Sequence, residues 1–164
     1  MKKFDFYGQV VIMCGISGSG KTHFAKTLED KGYIRLSSDK LIWERIGPDL
    51  FNLSPSEQKL LFDECKKQLL EQFDALIKAG EKVVLDATHC RRDARNKLRI
   101  LCSNSNVQPV FVYCEAGEEE LWQRLSQRKG EGPDDLIVTR EQLSEYWKGF
   151  QRPEEDETDF IFLK

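Results

Sequence analysis

Three features are scarce or missing in this 164-residue chain, and each absence excludes a class of protein. No apolar run approaches the roughly 18–20 residues that span a bilayer, and the start, Met1–Asp5, lacks the apolar stretch of a signal peptide. The five cysteines are odd in number and form no C-x-x-C pair, which argues against a disulfide framework and a zinc site. The net charge of −3 leaves no general basic footprint for long nucleic acid. We therefore expect a cytoplasmic protein of one domain, residues 1–164, that does not bind membranes and whose cysteines are mostly small core residues.

A glycine-rich loop is the most specific pattern in the chain. Residues Gly15–Thr22 read GISGSGKT, the full G-x-x-x-x-G-K-[ST] motif, directly after the apolar run Val10–Cys14. The backbone N–H groups of such a loop and the N-terminus of the following helix converge on an anion. In this motif Lys21 reaches the β- and γ-phosphates, and the Thr22 hydroxyl ligates Mg²⁺. The motif predicts a site for ATP and Mg²⁺, and the alternative is a turn merely rich in glycine and serine. The predicted nucleotide-binding residues are Gly15, Ser17, Gly18, Ser19, Gly20, Lys21 and Thr22.

Strand-like and helix-like runs alternate along the chain. The helix with the clearest start follows the capping sequence Ser54–Glu57 and stops at Ala79-Gly80. This alternation, with a phosphate-binding loop after the first strand, predicts an α/β fold with a doubly wound parallel sheet. The charged stretch Arg152–Glu157 is predicted to be a solvated connection. The predicted strands are Val10–Cys14, Gly32–Ser37, Lys82–Asp86, Val107–Tyr113 and Asp159–Leu163, and further helices are predicted over Thr22–Leu28, Arg92–Cys102, Glu118–Lys129 and Thr139–Phe150.

Two carboxylates stand at strand ends, where open parallel sheets bind their ligands. Asp39, in the sequence LSSD, can accept the proton of an attacking hydroxyl or bind substrate, and the alternative is a helix N-cap. Asp86 ends VVLD, a Walker B pattern whose carboxylate holds Mg²⁺ directly or through water, although many strands end in Asp. Beyond it, His89 is expected to be structural. Arg91 and Arg92 either hold an anionic substrate or lie at a solvated helix start.

A third group of side chains lies between Trp122 and Gly130, in the sequence WQRLSQRKG. Arg124 and Arg128 are four residues apart, so a helix would project them from one face. A loop rich in glycine and charge, Gly130–Asp135, follows. A mobile helix and loop that carry arginines fit a lid, about residues 124–138, that closes over phosphates. The alternative is an ordinary amphipathic surface helix.

In this order, the motifs resemble the P-loop kinase group that includes the phage-type polynucleotide 5′-kinases and many small uncharacterised kinases. The matching stretches are GISGSGKT, LSSD, VVLDATHCRRDAR and ELWQRLSQRKG, spread over nearly the whole chain. The resemblance implies a five-stranded sheet of order 2-3-1-4-5 and Mg²⁺-dependent transfer of the γ-phosphoryl group of ATP to a hydroxyl. It implies that Asp39 orients that hydroxyl, that Thr22 and Asp86 hold the metal, and that Arg128 and Arg124 are lid arginines, Arg124 also contacting the nucleotide. Lys21 completes the implied catalytic set.

The chain departs from this group at the acceptor side. Polynucleotide kinases of the group carry an arginine three residues after the acid, where it holds a substrate phosphate, and here that position is Ile42. Lys40 or Arg45 could substitute only with a different geometry. The third-strand motif commonly reads DATN, and His89 takes the place of the Asn. The basic run between Arg91 and Arg99 is the feature that favours a polynucleotide.

Other classes of nucleotide-binding protein fit less well. A GTPase needs an N-K-x-D guanine reader, which Asn96–Arg99 does not supply, and a mechanical ATPase usually has a Glu where Ala87 follows Asp86. We therefore predict an ATP-dependent kinase that acts on a hydroxyl of a small-molecule or nucleotide-like acceptor, with nucleic acid not favoured. The alternatives are a polynucleotide 5′-hydroxyl kinase and a nucleotide-binding regulatory or toxin-related module with little turnover.

Overall fold

One parallel sheet forms the centre of the molecule. The computed structural model describes residues 8–88 and 91–164, apart from the side chain of Phe51, and within them five strands pair in the order β2-β3-β1-β4-β5. The central strand β1 is fully buried and pairs in parallel with β3 and β4. The predicted fold class and strand order are therefore confirmed. The strands are β1 Val10–Cys14, β2 Ile34–Ser37, β3 Val83–Asp86, β4 Pro109–Cys114 and β5 Phe160–Leu163.

Helices cover both faces of the sheet because successive strand residues point to opposite sides. Val10 and Ile12 of β1 belong to a core that includes residues of α3 and α4, whereas Val11 and Met13 pack with Ala25 and other residues of α1. The helices are α1 Lys21–Glu29, α2 Ser38–Ile46, α3 Pro55–Lys78, α4 Arg92–Asn104, α5 Glu118–Leu125 and α6 Arg140–Gly149, with 3₁₀ turns at Gly47–Asn52 and Pro133–Asp135. No helix in the described ranges is long and apolar enough to cross a bilayer.

The predicted helix starts are confirmed where side chains cap the backbone. Ser54 accepts a hydrogen bond from the Glu57 N–H, and the Glu57 carboxylate accepts one from the Ser54 N–H. Thr139 and Gln142 form the same capping box at the start of α6. Each box satisfies backbone donors that the first helical turn leaves open.

One helix is shorter than predicted. The sequence pattern suggested a helix to about Lys129, but α5 ends at Leu125. The Ser126 hydroxyl donates to the Gln123 carbonyl at 3.1 Å, and the Gln127 N–H turns back to the Arg124 carbonyl. Such local hydrogen bonds compete with a continuing helix. Arg128 therefore lies beyond the helix rather than on the same helical face as Arg124.

Four of the cysteines confirm the prediction that they are core residues. Cys14, Cys65, Cys102 and Cys114 are buried, while Cys90 lies outside the described residues. Burial raises the pKa of both the Cys102 and Cys114 thiols to about 11. These thiols are therefore protonated packing groups at neutral pH.

The charged loop before β5 is not merely a solvated connection, so that prediction is wrong for its last residue. The Glu157 carboxylate is 1% exposed and accepts hydrogen bonds from Arg95 at 2.8 and 2.9 Å and from Arg99 at 2.9 Å. Arg99 also pairs with Asp159. A buried guanidinium needs such a partner, since an unpaired charge in the core is costly. The pairs fasten α4 to the loop that leads into β5.

We expect Glu157→Gln to lower the free energy of unfolding at pH 7 by about 3 kcal/mol, because it removes the negative charge that Glu157 places on the buried Arg95 guanidinium. Burial alone raises the pKa of Glu157, but the hydrogen bonds from Arg95 and Arg99 overcome it and lower the pKa to about 2 from an ordinary value of 4.5. The contribution of this carboxylate is therefore present above about pH 4.5 and is lost as the pH falls towards 2.

Urea unfolding at several pH values measures this loss. The matched control is Glu154→Gln, in the same loop, whose carboxylate is 70% exposed beside Arg92 and should change the free energy of unfolding by less than about 1 kcal/mol. Equal effects of the two substitutions would contradict the assignment of Glu157 to the core.

Candidate active site

The glycine-rich loop connects β1 to α1, and its glycines take conformations that other residues avoid. Gly20 precedes α1 with φ 98°. At Gly15, where φ is 146°, an added Cβ would lie 2.8 Å from the Cys114 carbonyl oxygen and 2.6 Å from the Ser19 hydroxyl. The Gly15 N–H donates to the Thr88 carbonyl at 3.1 Å, which links the loop to the segment after β3. The loop is therefore held close to two neighbouring strands, with the N-terminus of α1 open to a ligand.

Lys21, the first residue of α1, is buried at the floor of this loop. Its ammonium group donates to the Ile16 carbonyl at 3.0 Å. Burial lowers the pKa of Lys21, while the negative charges of Asp86 and Asp39 act in the opposite direction. An anion placed here would offset the lost hydration of the ammonium group.

Thr22 and Asp86 meet although they are far apart in sequence. The Thr22 hydroxyl donates to Asp86 Oδ2 at 2.9 Å, and Asp86 is 4% exposed at the end of β3. A hydroxyl and a carboxylate are the hard oxygen donors that Mg²⁺ prefers in phosphate sites. The pair therefore fits the metal that the two motifs predict.

Asp39 lies in the first turn of α2 and does not cap that helix. The N-cap is Ser37, whose hydroxyl accepts a hydrogen bond from the Lys40 N–H at 3.2 Å. The N-cap alternative for Asp39 is therefore wrong. Burial raises the pKa of Asp39, although the nearby charges of Lys21 and Arg128 lower it. A carboxyl with a raised pKa that faces a cavity suits proton transfer.

A cavity of about 320 Å³ brings most of the predicted site residues together. Gly15 and Ser19 do not line it. Six residues outside the predicted set also line it: His23, Lys26, Ser38, Ala87, Thr88 and Asp134. The predicted residues in its wall are Ser17, Gly18, Gly20, Lys21, Thr22, Asp39, Asp86, Arg124 and Arg128.

The predicted lid, residues 124–138, contacts the phosphate loop and α1. Arg124 donates to the Gly18 carbonyl at 3.0 Å, and Arg128 donates to the Leu136 carbonyl at 3.1 Å. Asp134 forms an ion pair with Lys26 of α1 at 2.6 Å. Both arginines line the cavity, Arg124 from the last turn of α5 and Arg128 from the segment after that helix, rather than from one helical face.

Arg35 of β2 is a residue at this site that the sequence reasoning missed. Its guanidinium donates to Asp86 Oδ2 at 3.0 Å and to Glu29 at 3.1 Å. The available signal was a charged residue inside a strand that otherwise reads Ile, Leu and Ser.

The arginines after β3 have acidic partners. Arg91 pairs with Asp93, and Arg92 pairs with Glu154 and Asp156 of the loop before β5. Arg91 is the N-cap and Arg92 the first residue of α4, and both lie at the surface. Of the two alternatives, the structure therefore favours a solvated helix start over an anion holder, with Arg92 also engaged by the loop before β5. His89 lies outside the described residues.

The fold and this site define a class. A parallel sheet of order 2-3-1-4-5 with a GISGSGKT loop between β1 and α1 is a P-loop fold of the kinase type. The chain belongs to the AAA_33 family, described as an AAA domain, whose model matches residues 10–153. A comparison with curated proteins finds no match.

Solved structures with this fold include several kinases. The chain is similar to a putative kinase from Chloroflexus aurantiacus J-10-fl, with TM-score 0.75, 16% identity, and coverage of 96% of this chain and 88% of that one. It is similar to a gluconokinase from Sinorhizobium meliloti 1021, with TM-score 0.68, 21% identity, and coverage of 95% and 82%. A chain of the Pnkp1/Rnl/Hen1 complex matches with TM-score 0.59, 23% identity, and coverage of 70% and 38%. These likenesses confirm the P-loop kinase fold.

Proposed function

We propose that this protein is an ATP-dependent kinase that transfers the γ-phosphoryl group to a hydroxyl of a small-molecule or nucleotide-like acceptor. The observation that carries the proposal is that Lys21, Asp39 and the Thr22–Asp86 pair line one cavity. A nucleotide-binding module needs the phosphate loop and the Thr22–Asp86 pair that would hold the metal. It does not need a partly buried carboxyl on a separate element, facing the same cavity. Asp39 therefore favours a transferase.

Each residue has a distinct part in the proposed transfer. The N–H groups of the loop and Lys21 bind the β- and γ-phosphates, and Thr22 and Asp86 hold Mg²⁺, which neutralises charge on the phosphates when it is bound. Asp39 orients the acceptor hydroxyl and accepts its proton as the oxygen attacks the γ-phosphorus and the bond to the ADP oxygen breaks. Arg124 and Arg128 place positive charge at the transferred group.

The residues that would bind the acceptor favour a small molecule over a polynucleotide. Ile42, at the position of the phosphate-holding arginine in polynucleotide kinases, is buried in the core that α2 shares with α3. Arg45, the possible substitute, donates to Glu64 and Gln68 of α3 at 2.8 and 2.7 Å. Within the basic run, Arg92, Arg95 and Arg99 pair with acids and do not present a free basic groove.

An acceptor screen tests the proposal directly. The purified protein is incubated with ATP, Mg²⁺ and a panel of sugars, polyols, hydroxy acids and nucleosides, and mass spectrometry detects products that gain one phosphoryl group. A product that forms with the wild type and not with Asp39→Asn supports a kinase. Tight ATP binding without any product across the panel would favour the module with little turnover.

We further expect inefficient phosphorylation of DNA or RNA 5′ ends and only a weak effect of salt on ATP-dependent activity. A net charge of −3 attracts a polyanion little, and polyanion binding would fall steeply with salt as counterions compete. Transfer of labelled phosphate to a 5′-OH oligonucleotide at low and moderate salt measures this. Rapid transfer with a micromolar KM that collapses as salt rises would establish the polynucleotide kinase instead.

A further inference from the structure

The guanidinium of Arg35 lies among carboxylates from three separate elements. It donates to Asp86 of β3 and to Glu29 of α1, and its NH1 lies 3.6 Å from an oxygen of Asp134 in the predicted lid. The Arg35 side chain is 9% exposed. Because a guanidinium stays protonated at all working pH values and presents donors in a fixed fork, it can join several carboxylates at once.

Among these carboxylates, Asp86 matters most for cation binding, because it is the one predicted to hold Mg²⁺. Arg35 and Thr22 both donate to its Oδ2, at 3.0 and 2.9 Å. Its negative charge is therefore balanced before any divalent cation arrives. A cation on this carboxylate would lie close to a permanent positive charge.

Asp134 connects the same guanidinium to the predicted lid. Its Oδ2 pairs with Lys26 at 2.6 Å, while its Oδ1 is buried and has no hydrogen-bond partner among the described residues. That Oδ1 is the atom 3.6 Å from Arg35. The predicted lid thus places a negative charge beside the residue that balances Asp86.

We propose that Arg35 is a positioning residue that balances the charge of the metal-side carboxylate Asp86 and ties it to the predicted lid through Asp134. The proposal rests on the proposed nucleotide site. In this arrangement Arg35 weakens the attraction of Asp86 for a divalent cation, and Asp134 partly offsets that effect. The consequence is easier release of ADP with its cation after transfer.

Two effects of removing Arg35 oppose each other, and their sizes decide the expected sign. Loss of the positive charge should strengthen cation binding roughly tenfold, given the short distance and the partial burial. Loss of one hydrogen bond frees Asp86 to rotate, which should weaken cation binding by only about threefold because Thr22 still holds the same oxygen. The net expectation is tighter cation binding.

Calorimetric titration of ADP with and without Mg²⁺ tests this without any turnover. The dissociation constant of ADP without Mg²⁺, divided by that with Mg²⁺, isolates the contribution of the cation. Effects on the nucleotide alone cancel in this ratio, and a higher ratio means tighter cation binding. Arg35→Gln removes the charge but keeps a hydrogen-bond donor, and we expect its ratio to rise by roughly threefold to tenfold. Arg35→Lys keeps the charge, so its ratio should stay within about twofold of the wild type. Arg45→Gln, which removes a guanidinium paired with α3, is the matched control and should leave the ratio unchanged.

Asp134→Asn tests the connection to the predicted lid. It removes a negative charge beside Arg35, so the guanidinium opposes a cation on Asp86 more strongly. The ratio should therefore fall by roughly twofold to fivefold. In the Arg35→Gln background most of that fall should disappear, since the two residues act through one guanidinium. If Asp134→Asn lowers the ratio by the same factor in that background, Asp134 does not act through Arg35 and this part of the proposal is wrong. If Arg35→Gln does not fold, the wild type, Arg35→Lys and Asp134→Asn still decide, because an unchanged ratio in Asp134→Asn overturns the proposal.

The outcomes separate this inference from the proposed function. A wild type that binds ADP more tightly with Mg²⁺, together with an unchanged or lower ratio in Arg35→Gln, overturns the role of Arg35 alone. A wild type that binds neither ADP nor ATP overturns the proposed function and the inference with it. Under the proposal, turnover with an identified acceptor should show a lower KM for ATP and a lower kcat in Arg35→Gln, which a purely structural role would not produce.

Discussion

Replacing Asp39 with asparagine is expected to lower phosphoryl transfer by roughly 10²–10⁴-fold while ATP affinity stays within a few fold. The phosphates are held by the loop between β1 and α1, whereas Asp39 faces the cavity from α2. Asparagine keeps the size of the side chain but cannot accept the proton of the hydroxyl. Because Ser37 is the N-cap of α2, the substitution does not remove a cap, and the melting temperature should change little.

Transfer rates with the acceptor found in the screen and calorimetric ATP affinities measure the two effects separately. Asp63→Asn is the matched control, because Asp63 lies on the exposed side of α3 beside Lys59. If Asp39→Asn unfolds the protein and has no separate effect on transfer, Asp39 is a structural residue and the kinase proposal loses its main support.

The Asp39 carboxyl should also determine how phosphoryl transfer depends on pH. Burial raises the pKa of Asp39 above its usual range, and Lys21 and Arg128 only partly oppose it. The carboxylate form acts as the base, so transfer should fall on acidification at a higher pH than an ordinary aspartate would give. A pH profile of kcat/KM whose acidic limb disappears in Asp39→Asn would agree with this role.

Replacing Lys21 with alanine is expected to lower ATP-dependent turnover by roughly 10²–10³-fold while the fold survives. The ammonium group is buried and donates to a carbonyl of its own loop. Its removal takes away charge at the β- and γ-phosphates and also relieves the cost of keeping a charge out of water. We therefore expect an unchanged or higher melting temperature.

Turnover and thermal unfolding of Lys21→Ala, compared with Lys78→Ala on the far end of α3, check this. Lys78 is exposed and pairs with Asp74, so its removal should leave turnover unchanged. Near wild-type turnover in purified Lys21→Ala would reject the phosphate loop as a functional site.

The sequence predicted the parts of the structure that depend on neighbours in the chain. The glycine loop, the buried strand before it and the capping boxes at Ser54 and Thr139 are local patterns. Each one is specified within a few residues, because the backbone hydrogen bonds and glycine conformations involved are local. The position of Asp86 in the candidate site was also predictable, since parallel strands bring their carboxyl ends to one edge of the sheet.

The end of α5 and the role of Asp39 in α2 needed the structure. A helical pattern continued to Lys129, yet a serine hydroxyl and a tight turn end the helix at Leu125. Asp39 and Ser37 are both good N-cap residues, and only the backbone geometry at Ser37 shows which of them caps α2. Competing local choices of similar free energy are decided by packing with the rest of the molecule.

Charge pairing across the fold was decided by tertiary structure alone. Arg35 and Asp86 are 51 positions apart, and Arg95 and Glu157 are 62 apart. A composition or a motif tells how many charges a chain carries but not which of them face each other, because partners are chosen by the order of strands and the path of loops. The basic run in α4 therefore resembled a nucleic-acid surface in sequence, whereas the fold turns Arg95 and Arg99 towards acids. Arg35, which looked like an ordinary strand residue, lies beside the metal-side carboxylate.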